Sequence, residues 1–285
     1  MFLRLLMGVI AFACFLPSSP AEASGWAEAM HSRARLVAAG QVEAQRLADR
    51  VQIHDPVLLA GVEIELDPGW KTYWRTPGDG IAAEFDWTGS KNLAAARVLW
   101  PAPRHFRDAA GQYNGYSDRV ILPVAIVPAR PDKPVMVDLR LDYAVCKDVC
   151  IPVSKQLSLR LSAAASDHRA DVLAAVAATP VRADADGRCG SLRFTDIRAR
   201  LDGASPRLEV AIAHPPGAAP EDLFAEAASG QFIDHPQRRT SSDPARTQFH
   251  IDLSKGSAAH DLAGQNLTLT AVAAPLSCEM AWAVE

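Results

Sequence analysis

The chain has 285 residues and a formal net charge of −4, a near balance that gives no electrostatic case for binding nucleic acid or an anionic membrane surface. Apolar residues make up 49% of it, enough to fill the cores of two domains of ordinary size. After a short run at the start, no stretch approaches the about 20 apolar residues that a membrane-spanning helix needs.

That first run reads as an export signal. Met1-Phe2-Leu3-Arg4 carries one positive charge, residues 5–16 form the apolar segment, and Ala21-Glu22-Ala23 has the small-x-small form of a cleavage site. Cleavage is expected after Ala23, which makes the protein an exported one. A lipid anchor on Cys14 is the rival, and Phe12-Ala13-Cys14 is a poor lipidation box. Losing Arg4 and Glu22 with the leader leaves the net charge unchanged.

Period-two alternation then dominates. Val62-Glu63-Ile64-Glu65-Leu66 is a strand with one buried face, and residues 135–141, 157–161, 208–212, 249–253 and 267–272 follow the same pattern. Pro-Gly, Gly-Asp-Gly, Asn-Gly and Asp-Gly separate such runs. Many short strands predict an all-β chain of sandwiches rather than a parallel sheet. One stretch differs. Over residues 166–179, Val172, Leu173 and Val176 share a helical face, Ser166 or Asp167 is available as the cap, and Pro180 ends the helix. With the polar segment 182–188 behind it, this marks a linker at 166–188, between a first domain at 24–165 and a second at 189–285.

Four cysteines remain after export, Cys146, Cys150, Cys189 and Cys278, and an oxidising compartment favours pairing them. Of three possible connectivities, position favours Cys146 with Cys150 and Cys189 with Cys278. The strand ending at Val145 runs into Cys146, three residues follow, and Cys150 begins the next strand, so the two flank a hairpin loop. Directly paired residues there have Cα atoms about 4.5–5.5 Å apart, within disulfide range. Closing so small a loop stabilises the fold by only about 2 kcal/mol in the chain-entropy model, and exposed disulfides are the ones that exchange. A simple staple fits the spacing equally well. Zinc would need two further ligands, and the eight histidines are scattered without a metal-binding pair, so no metal site and no cofactor is expected. Lys147 favours a thiolate beside it and Asp148 opposes one. A bond between Cys189 and Cys278 closes a far longer loop, worth about 4.5 kcal/mol, and reads as structural. No Gly-x-Ser-x-Gly elbow, phosphate loop or dinucleotide fingerprint is present.

Several blocks carry a family resemblance. Gly69-Trp70-Lys71-Thr72-Tyr73-Trp74-Arg75-Thr76-Pro77-Gly78-Asp79, Leu99-Trp100-Pro101-Ala102-Pro103, the run Gly115 through Val124 and Asp142-Tyr143-Ala144-Val145-Cys146-Lys147-Asp148-Val149-Cys150-Ile151-Pro152 together resemble the amino-terminal periplasmic domain of the DsbD family. The nearest likeness is the branch containing ScsB, linked to copper tolerance. The resemblance, strong over about residues 30–165 and looser beyond, implies an immunoglobulin-like β-sandwich with Cys146 and Cys150 as the redox pair, and the chain as a whole reads as two such β-sandwiches joined by the helical linker. Cys150 would form mixed disulfides and Cys146 would resolve them. It further implies a thioredoxin-like electron donor or membrane electron-transfer protein, and a periplasmic disulfide isomerase or peroxiredoxin-like acceptor.

The bland reading of Trp70, Tyr73 and Trp74 is core packing. The resemblance instead makes Tyr73 a lining residue of the site and gives residues 105–116 a shielding role, with Phe106 and Tyr113 as the caps. DsbD and ScsB continue into a multi-helix membrane domain. No such segment follows here, so the expectation is a standalone module recharged by a separate protein. Rival functions are a Cu(I) chaperone, disfavoured by only five methionines, and an interaction module with inert disulfides.

Overall fold

The computed structural model describes residues 23–54, 56–108, 111–165, 167–231, 233–239, 241–254 and 259–285. Residues 1–22, which are the expected leader apart from Ala23, and the candidate cap Ser166 lie outside them. The chain is all-β with one short α-helix, Arg169–Ala177. No helix among the described residues is long and apolar enough to cross a membrane.

Four sheets form two facing pairs. In the first pair, one sheet has the order Ala27–Ala29, Ser32–Val42, Val57–Leu66, Arg119–Pro128, Leu93–Val98. Its partner has the order Cys150–Leu161, Val135–Cys146, Lys71–Gly78, Gly111–Ser117, Arg104–Asp108, with Glu84–Asp86 also pairing on Val135–Cys146. Alternate residues of both meet in one core: Leu36, Val62, Ile64, Leu122 and Ile126 from the first, Trp74, Leu139, Leu141 and Val145 from the second. Burying such side chains is the main force holding the layers together.

The second pair sets Val181–Arg182, Leu276–Ala283, Asn266–Ala273 and Asp222–Ala227 against Arg188–Cys189, Leu192–Arg200, Arg207–Ala213, Arg246–Asp252 and Gln237–Arg239. It encloses a separate core that includes Phe194, Val210, Phe249, Leu269 and both Cys189 and Cys278.

Two local expectations change. Glu63 was expected on a solvated face, yet it is 1% exposed, because Val57–Leu66 is covered on both sides. Val37, Leu59 and Ile121 of the outer face pack under Val172 and Val176 of the helix, and Glu63 is neutralised there by Arg35 at 2.7 Å and Arg119 at 2.6 Å. Two guanidiniums on one carboxylate supply the hydrogen-bond donors that a buried acid needs. The helix also starts later than expected. His168 is its N-cap and makes no side-chain capping hydrogen bond, and packing of Val172 and Val176 against the sheet helps to hold the helix in place.

The two sandwiches touch through the strand Asp222–Ala227. Phe224 meets the Trp74 ring edge-on at 5.5 Å. Arg75 grips Glu226 with two hydrogen bonds, 2.9 and 2.6 Å, and also donates to Glu279, while Thr76 donates to Glu226. Burial would lower the Arg75 pKa, and the two carboxylates more than offset it, so the guanidinium is held charged.

Candidate redox site

Val135–Cys146 and Cys150–Leu161 pair over their whole length, twelve residues each, from Val135 opposite Leu161 to Cys146 opposite Cys150. The alternation that puts Val135, Val137, Leu139 and Leu141 into the core also sets the register, since a slip of one residue would turn them outward. Cys146 and Cys150 therefore arrive as a direct cross-strand pair, Cα atoms 4.2 Å apart, and are disulfide-bonded.

Their surroundings differ sharply. Cys146 is 0% exposed, while Cys150 is exposed and follows Val149, which is 61% exposed at the loop tip. The strand Lys71–Gly78 runs beside Cys146, with Lys71 directly across from it. Two residues on, Tyr73 brings its hydroxyl to 3.0 Å from Cys150 Sγ. The Tyr73 ring is itself fixed from two sides. Its strand partner Gly115 allows close approach: a Cβ there would lie 2.0 Å from the Thr72 carbonyl oxygen. Gly80 passes over the ring, where a Cβ would fall 2.2 Å from Tyr73 Cε1.

The predicted shield is a β-hairpin of Arg104–Asp108 and Gly111–Ser117. Phe106 and Tyr113 are opposite one another and stack at 5.6 Å, and Tyr113 meets Tyr73 edge-on at 5.5 Å. Tyr73, Tyr113, Ala144 and Cys146 form one buried cluster with Phe106 packed against it. The structure thus brings together Cys146, Cys150, Tyr73, Tyr113 and Phe106. The hairpin lies over Cys146 and leaves Cys150 open.

Trp70 belongs to the core cluster and stacks on His31 at 4.0 Å, so of the three aromatic residues only Tyr73 reaches a sulfur. The other predicted pair, Cys189 and Cys278, is also bonded, with Cα atoms 5.9 Å apart and both residues buried. Among the described residues no group of three or more His, Cys, Asp or Glu side chains could hold a metal ion.

Three participants were not visible as such in the sequence. Lys71 donates to the Tyr113 hydroxyl at 3.0 Å and lies 5.4 Å from the Phe106 ring centroid, adding a cation to the aromatic wall. Lys147, the cation adjacent in sequence, instead lies over Gly69. Gly80 could be read only as a turn residue. Asp79 ties that turn to the hairpin, donating its N–H to the Gln112 carbonyl at 3.0 Å and accepting from Gln112 N–H at 2.9 Å.

Chemically, the arrangement offers a nucleophile one sulfur. Exchange needs approach along the S–S axis, and only Cys150 has solvent in front of it. The Tyr73 hydroxyl, 3.0 Å from Cys150 Sγ, is the donor of that contact, since a disulfide sulfur carries no proton.

Residues 40–162 match the family model described as "Thiol:disulfide interchange protein DsbD, N-terminal". Among solved structures, the chain is similar in fold to the crystal structure of the N-terminal periplasmic domain of ScsB from Proteus mirabilis. The TM-score is 0.68 at 21% identity, over 93% of this chain and 99% of that one. No curated protein matches the chain by sequence.

Proposed function

We propose that the chain carries out thiol:disulfide interchange, on the strength of the match of residues 40–162 to the DsbD amino-terminal family model, and that Cys146 and Cys150 are the pair that carries it, outside the cytoplasm, as an electron relay between proteins. The observation that supports this most directly is the asymmetry of the pair, with Cys146 sealed and Cys150 exposed beside the Tyr73 hydroxyl.

In the reductive direction the Cys150 thiolate attacks a partner's disulfide. One partner sulfur leaves as a thiolate, and a mixed disulfide joins Cys150 to the other. Cys146 then attacks Cys150 Sγ and releases that second sulfur, so two electrons pass to the partner and the Cys146–Cys150 bond forms. Recharging reverses these steps: a donor thiolate attacks Cys150 and Cys146 is the leaving sulfur. Tyr73 stabilises the Cys150 thiolate, and Phe106 and Tyr113 keep partners from Cys146. The donor is a thioredoxin-like or membrane electron-transfer protein, and the acceptor a disulfide isomerase or peroxiredoxin-like protein of the periplasm. An export leader ending near Ala23 is part of the same reading. So is the division into domains at 24–165 and 189–285 joined by 166–188, which the two separate cores favour.

Trapping tests the proposal. In the Cys146→Ala variant, Cys150 should accumulate mixed disulfides with thioredoxin-fold proteins, visible as thiol-sensitive adducts on non-reducing gels. The Cys150→Ala variant should give none. Absence of adducts from both variants overturns the reading.

A further inference from the structure

His105 stands on the shield hairpin next to Phe106 and across from Asn114. Its Nδ1 lies 2.7 Å from Asn114 Oδ1, and its Nε2 lies 3.1 Å from both the Leu223 carbonyl oxygen and Asp222 Oδ1 of the second sandwich. The other end of the Asn114 side chain donates to the Thr76 carbonyl at 3.0 Å, which turns its amide oxygen toward the histidine. Every hydrogen-bond partner around the ring is thus an acceptor. A neutral imidazole donates from one nitrogen, and only an imidazolium donates from both.

The ring is also gripped by aromatic neighbours, 4.0 Å from Phe224 and 3.8 Å from His235. Two stacked imidazoles do not both carry charge, and His235 is the neutral one: burial and then the charge of His105 push its pKa down to about 4. Asp222 is the carboxylate facing His105, while Arg107 and Asp79 act on His235 with opposite signs. Glu226, farther along the same strand, is taken up by Arg75 and Thr76.

We propose that His105 is a positioning residue, clamped between Asn114 and the strand Asp222–Ala227, through which the second sandwich holds the Phe106–Tyr113 hairpin closed over Cys146. Partners then meet Cys150 alone. This gives the second sandwich a part in exchange without lending a group to the sulfur chemistry, and it rests on the exchange reading above.

The test uses the full chain in a Cys150→Ser background with Cys189–Cys278 oxidised, and follows alkylation of Cys146 by N-phenylmaleimide, a neutral probe. The rate with His105→Gln divided by the rate with His105 removes the probe's own pH dependence. The expected ratio is about three to ten, from loss of the two-sided hydrogen bonding of the ring. Asp222→Ala should raise the Cys146 rate in the same way, and Asp222→Asn, which keeps an oxygen facing the ring, should return it toward the parent value; this pair carries the test alone if His105→Gln does not fold. A ratio near one, or Asp222→Asn reacting as fast as Asp222→Ala, overturns the clamp. Because the measurement uses a small probe and no protein partner, it is independent of trapping: adducts with an unchanged Cys146 rate sink the clamp alone, and an elevated ratio without adducts sinks the exchange reading alone.

Discussion

Cys146–Cys150 closes a hairpin tip, with one cysteine sealed and the other in solvent; Cys189–Cys278 bridges residues 89 apart inside a core, with both cysteines buried. Both are cystines held by β-structure, so the bond alone does not separate their roles. What separates them is whether a nucleophile can line up with the sulfurs, and how much of the chain the bond restrains. A crosslink over a long loop removes much conformational freedom from the unfolded chain, and a crosslink over a tight turn removes little. The first suits a staple. The second can be opened repeatedly at small cost to stability.

The sharpest way to break this contrast is to remove each bond in turn. Replacing Cys189 and Cys278 by Ala should lower unfolding stability by about 4 kcal/mol in urea titrations, against about 2 kcal/mol or less for Cys146 and Cys150. Equal losses would show that the hairpin bond is a staple after all. Mild dithiol treatment followed by mass spectrometry should likewise open Cys146–Cys150 first and leave Cys189–Cys278 intact.

Next in size is Gly80→Val. Its side chain would drive into the Tyr73 ring, and displacing that ring should cost about 1–3 kcal/mol and loosen Cys146 without touching the second crosslink. Normal stability in this variant would mean that the ring is not fixed by its surroundings.

His235 tests the junction. Its folded pKa of about 4 lies below the ordinary value of 6.5, so the unfolded chain binds more protons between those limits and stability falls as pH drops through that window. After allowance for its partial solvent contact the effect is on the order of 1 kcal/mol. His235→Gln should therefore flatten the melting-temperature profile between pH 6.5 and 4, and an unchanged slope would remove His235 as its source.

The smallest effect expected is that of Tyr73→Phe. Losing the hydroxyl beside Cys150 Sγ should raise the Cys150 thiol pKa and slow its alkylation at neutral pH by about threefold to tenfold, read from a rate–pH profile. An unchanged profile would restrict Tyr73 to packing.

What was legible in the sequence was local. Alternation through residues 135–145 and 151–161 and a three-residue gap put Cys146 opposite Cys150, because strand period and turn length act over neighbours. The resemblance added Tyr73, Phe106 and Tyr113, which no spacing rule would have assembled. Contacts made by distant segments stayed hidden. Glu63 looked solvated because Arg35, Arg119 and the helix that cover it come from elsewhere in the chain. His105 looked isolated because Asp222 and Leu223 lie more than a hundred residues away. The helix, too, is covered by distant partners, with Val172 and Val176 packed on Val37, Leu59 and Ile121.

The twelve-pair ladder has one more consequence. Its far end, where Val135 faces Leu161, is fully buried and stands roughly 35 Å from the cysteines at the usual rise per residue. Nothing that happens at the tip needs to be transmitted along those rungs, so the frame should look the same loaded or spent. A partner that has to tell the two states apart must then do so at the sulfur itself.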